Sequence, residues 1–121
     1  MKLLGNISGQ QFYYCAIDDL IDRCSQVEKC AIIIDEGHLE KFLTNGISII
    51  GVCVNQIIII GGDVNTAFLR FKDENLLLLA ANSFEEAARF AMLGSGFFHD
   101  VICIPKEDEN TAIEIINSIK I

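Results

Sequence analysis

Residues 30–38 read Cys30-Ala31-Ile32-Ile33-Ile34-Asp35-Glu36-Gly37-His38, five apolar side chains in a row and then an abrupt change to acid, glycine and imidazole. A strand covered on one face alternates apolar and polar residues. One covered on both faces does not, so this run predicts a strand buried on both sides of a sheet, the pattern of parallel strands under helices. The short helix expected next places Leu39, Phe42 and Leu43 on one side and stops at Asn45-Gly46.

Toward the N-terminus, Ile17, Leu20, Ile21, Cys24 and Val27 recur at helical intervals, with Asp18, Asp19, Asp22 and Arg23 between them. This predicts an amphipathic helix whose first turn is acidic, where the helix dipole favours negative charge. Before it, Leu3-Leu4 and Phe12–Ala16 are short apolar pieces consistent with one or two strands.

Toward the C-terminus, residues 46–62 read GISIIGVCVNQIIIIGG, without a charge. A membrane-spanning helix needs about 20 apolar residues, whereas this run is shorter, carries Asn55-Gln56 and is rich in Ile and Val, which favour strands. We expect two buried strand segments, 47–54 and 57–60, separated at Asn55-Gln56 as a hairpin or one bent strand. Thr66–Phe71 then alternates, Lys72–Asn75 reads as a turn and Leu76–Ala80 follows, predicting an antiparallel hairpin.

Ser83 with Glu86 three residues later is a capping-box pattern. Phe84, Ala87, Ala88, Ala91 and Met92 form the apolar stripe of the helix it starts, which Gly94-Ser95-Gly96 ends. Asp100–Ile104 reads as a strand closed by Pro105. A last helix begins near Asp108 or Asn110, with Ala112, Ile115, Ile116 and Ile119 inward. The expected architecture is therefore a single α/β domain over residues 1–121, with a mixed, mostly buried sheet, about four helices and one antiparallel hairpin.

Composition narrows the function. The 121 residues are 51% apolar and 21% charged with one Pro, which excludes a disordered or low-complexity chain. The formal charge is −8 and the basic residues are scattered, so nucleic acid is not an expected partner, because phosphate binding relies on clustered Lys and Arg. The five cysteines, Cys15, Cys24, Cys30, Cys53 and Cys103, are odd in number and lack paired C-x-x-C spacing. They read as buried thiols in a reducing compartment. With no signal-like apolar segment after Met1-Lys2-Leu3-Leu4, the expected location is the cytoplasm, off the membrane.

Candidate site residues come from the ends of the expected strands, where parallel sheets bind ligands. Asp35 and His38 follow one strand; Gly61, Gly62, Asp63 and Asn65 follow another. If those strands are parallel neighbours, these groups share one rim. Carboxylate plus imidazole can hold a metal or move a proton near neutral pH; alternatively, Asp35 caps the helix starting at Glu36, and Asp63 and Asn65 shape a turn. Gly61-Gly62 lacks the glycine spacing and the lysine of phosphate-binding loops. The loop Gly94–Asp100 contains Phe97, Phe98 and His99, either a docking or stacking surface or a plug for the core.

IIIIGGD (57–63), SFEEAARFAM (83–92) and HDVICIP (99–105) resemble the C-terminal domain of Mur-type amide ligases, in which a glycine-acid turn, a helix and a strand ending in proline recur. That resemblance covers under half the chain and leaves out the ATP-binding central domain, so it implies an architecture and not the ligase activity. AFLRFKDENLLLLA (67–80) also resembles the hairpin of roadblock and longin modules, which implies a dimerising sheet. The expected function is a cytoplasmic, non-catalytic, regulatory binding module, a homo-oligomer taking a small molecule or a partner protein. The alternatives are a small enzyme with a metal or acid/base site at Asp35, His38 and Asp63, and an acidic inhibitor of a basic effector.

Overall fold

A computed structural model of the chain describes residues 2–20, 29–45, 54–61, 77–94 and 98–119. Six strands form one mixed sheet: β1 (Lys2–Ile7), β2 (Gln10–Tyr14), β3 (Cys30–Asp35), β4 (Val54–Ile60), β5 (Leu77–Ala81) and β6 (Asp100–Ile104), in the order β1-β2-β6-β3-β4-β5. Among the described residues, neighbours from β2 to β5 are all parallel, and β1 alone is antiparallel, to β2. Three α-helices are described: α1 (Glu36–Asn45), α2 (Phe84–Met92) and α3 (Glu109–Ser118).

The unbroken apolar run of β3 is buried on both faces, as its lack of alternation predicts. Ile32 and Ile34 join Ile57, Ile59, Ile102 and Ile104 beneath Leu39 and Phe42 of α1. Ala31 and Ile33 face the other way, with Ile58, Ile60, Val101 and Cys103, beneath Phe84, Ala87, Ala88 and Ala91 of α2 and Ala112 and Ile116 of α3. From β3 to β4 the chain steps outward with α1 on the first face; from β5 to β6 it returns across β4 and β3 with α2 on the second. Reversing direction and face together keeps both crossovers the same hand, as parallel connections require.

The described residues answer the other expectations only in part. Of the expected segment 47–54, residues 47–53 lie outside the described residues; from Val54 on, Asn55 and Gln56 lie inside β4, which runs unbroken to Ile60, and Gln56 is 5% exposed in the sheet. Of the predicted hairpin over 66–80, the first arm lies outside the described residues, and the second, β5, runs parallel to β4. The antiparallel hairpin that is described is β1–β2, joined by Ser8 (φ 52°) and Gly9 (φ 84°), two successive positive φ values that match the twist of the flanking strands. The expected mostly buried sheet holds for its centre, whereas Leu3 on β1 is 50% exposed and Leu77 on β5 is 55% exposed.

The expected first helix is described only as far as Leu20, as a 3₁₀ turn over Ile17–Asp19. Three α-helices therefore stand, among the described residues, where about four were expected. No helix among them is long and apolar enough to cross a membrane.

Candidate functional site

Because β6, β3, β4 and β5 are parallel neighbours, their carboxyl ends open on one rim, the condition under which the polar strand ends come together. Register places them at matching heights: Ile34 pairs with Ile104, so Asp35 and Pro105 leave the sheet side by side, and Asp35 pairs with Ile60, just before Gly61. From β3 the chain passes into α1 on the first face, whereas from the adjacent β6 it passes into α3 on the second. Two neighbouring strands whose following helices diverge leave a crevice between them. This is the topological switch point at which open α/β sheets bind ligands.

By chain order, Asp35, Glu36, Gly37 and His38 follow β3 on one side of this point, and Pro105, Lys106, Glu107 and Asp108 follow β6 on the other. Each side begins a helix, and the first N–H groups of a helix have no partner within it. Asp35 Oδ2 accepts from the Gly37 amide at 2.9 Å. Asp108 Oδ1 accepts from the Thr111 amide at 2.8 Å, and these bonds to Thr111 hold the Asp108 carboxyl below the usual carboxylate range. Asp35 thus has the capping role that its place before a helix allows. His38 is half-buried in the first turn of α1, and no hydrogen bond or ion pair joins it to Asp35 among the described residues.

Next to the crevice, Gly61 ends β4 with φ 76° and donates its N–H to the Ala81 carbonyl at 2.8 Å. The positive φ explains the glycine, and space is also short, since a Cβ there would lie 3.1 Å from Glu36 Oε1. Further along the rim, Ser83 Oγ accepts from the Glu86 amide, completing half of the capping box; Glu86 Oε1 reaches back to the Asn82 amide rather than to that of Ser83. Gly62, Asp63 and Asn65 lie outside the described residues. Among those described, no three His, Cys, Asp or Glu side chains converge to hold a metal ion.

Phe98 and His99 are at the opposite, amino end of the sheet, so they do not belong to this rim. Phe98 is 3% exposed and packs in the second-face core, where its ring would lie 2.5 Å from a Cβ at Gly94, so it fills the role of plug. His99 is exposed, with its carbonyl accepting from the Gln11 amide at 2.8 Å. Phe97 lies outside the described residues. Cys15, Cys30 and Cys103 are buried, and burial pushes the Cys103 thiol far above its ordinary value, away from nucleophilic use; Cys24 and Cys53 lie outside the described residues.

Sequence reasoning passed over two residues that the structure brings forward. Gln10 is fully buried, and its Nε2 donates to the Ala91 carbonyl at 2.9 Å and to the Phe98 carbonyl at 3.5 Å. No local pattern marks it, because both partners are remote in sequence. The Ser8-Gly9 pair before it was the legible signal, a turn dipeptide between two apolar pieces. Asp108 was visible as a helix start, but its place beside Asp35 depends on β6 lying next to β3. No protein-family model matches this chain, and no curated protein matches it.

Proposed function

We propose that the chain is a cytoplasmic, non-catalytic binding module that seats a small polar molecule, neutral or cationic, in the crevice between the carboxyl ends of β3 and β6. The observation that carries this reading is the divergence of α1 and α3 from two adjacent parallel strands. The ligand class follows from the groups at the edge. Asp35 and Asp108 already occupy N–H groups that an anion would use at each helix start, and Asp35, Glu36, Glu107 and Asp108 outnumber Lys106. Binding is favoured over catalysis because the carboxylates of Asp35 and Asp108 are committed to helix caps.

The same proposal includes self-association. β5, the outermost described strand on its side, presents Leu77 at 55% exposure beside half-buried Leu78 and Leu79, and an apolar edge of this kind is ordinarily covered. The β1 edge differs, since Lys2, Gly5 and a register shift between Leu3 and Gly5 discourage strand addition.

Native mass spectrometry of freshly purified protein, set against the denatured mass, tests both the ligand and the self-association. The expected result is an oligomer carrying a small mass that denaturation releases. Neutral and cationic metabolites such as amino acids, nucleosides and polyamines should then raise Tm, whereas phosphate and nucleotides leave it unchanged. The triple variant Glu36→Gln, His38→Ala, Lys106→Ala should fold and lose the bound mass. Retention of the ligand by that variant would move the site elsewhere and overturn the proposal, as would a bare chain with no Tm response. A metal that survives dialysis and is lost in His38→Ala would instead favour the metal or acid/base reading of Asp35, His38 and Asp63.

A further inference from the structure

We draw no further inference here: the strongest candidate, the buried amide of Gln10 at the amino end of the sheet, whose Nε2 holds the Ala91 and Phe98 carbonyls while its Oε1 has no hydrogen-bond partner among the described residues, carries nothing because nothing in the structure shows what reaches that oxygen.

Discussion

At the carboxyl end of the parallel strands the three described α-helices begin, and Asp35, Ser83 and Asp108 each meet an N–H group of a first turn. At the amino end α2 stops, and the Ala91 carbonyl is met by the Gly94 amide and by the side chain of Gln10. Both ends answer the same demand, that the backbone groups at helix termini find partners. They answer it at different depths. The caps at the carboxyl end are short side chains bonding two or three residues along the chain at the surface, whereas Gln10 reaches across 81 residues of sequence from a fully buried position. The first arrangement leaves polar caps at the surface; the second ties the N-terminal hairpin to the turn before β6.

The comparison predicts that the amino end is the more costly one to damage. Phe98→Ala removes a buried ring and should lower stability by about 3–5 kcal/mol, while His99→Ala, at an exposed side chain, leaves it nearly unchanged; urea denaturation of the pair measures both. Equal effects would remove the distinction between plug and surface residue. Gln10→Ala should lose about 2–3 kcal/mol, because it opens a cavity and deprives two carbonyls of a donor. Gln10→Met should lose less, since it fills the space and also removes the buried Oε1 that has no partner among the described residues. If the methionine variant loses as much stability as the alanine variant, the amide matters more than the volume it fills.

At the carboxyl end, Asp35→Ala should lose about 1 kcal/mol, and Asp35→Asn only a few tenths, since asparagine caps as well as aspartate. Thermal or urea denaturation of the two variants separates capping from charge. If both lose stability equally, the carboxylate acts through its charge, and the rim is electrostatically more demanding than a set of caps. The smallest effect concerns Tyr13, whose hydroxyl donates to Gln11 Oε1. Burial, and to a lesser degree the carboxylate of Asp100, raise its phenol above the ordinary value. Folded Tyr13 therefore keeps a proton that the unfolded chain gives up, so this contribution to stability is complete below the unfolded pKa and is lost as pH rises through the folded one. In a Tyr14→Phe background, ultraviolet titration should show a raised transition that Asp100→Asn brings some of the way down.

What was legible in the sequence is what neighbours in sequence decide. The run Ala31–Ile34 announces a strand buried on both faces, and the structure buries every residue of it. The spacing Phe84, Ala87, Ala88, Ala91 and the pair Ser83, Glu86 give α2 with its cap, and Pro105 marks the end of β6. The Leu77–Ala81 stretch shows the limit: its apolar run predicts a strand, but nothing along the chain says that it lies parallel beside β4, with Leu79 and Ala81 under α2.

By itself, then, the sequence determined that the chain is α/β, which stretches form its central strands and helices, and that Asp35 stands at a helix start. Only the tertiary structure decided that β6 inserts between β2 and β3, that Asp35, His38 and Lys106 therefore follow the carboxyl ends of adjacent strands, and that Phe98 and His99 stand at the other end. The reason is physical. Periodicity and capping act between residues a few positions apart and leave a pattern that can be read along the chain, whereas an apolar strand gains nearly the same burial from several possible neighbours, so strand order is chosen by the packing of the whole sheet.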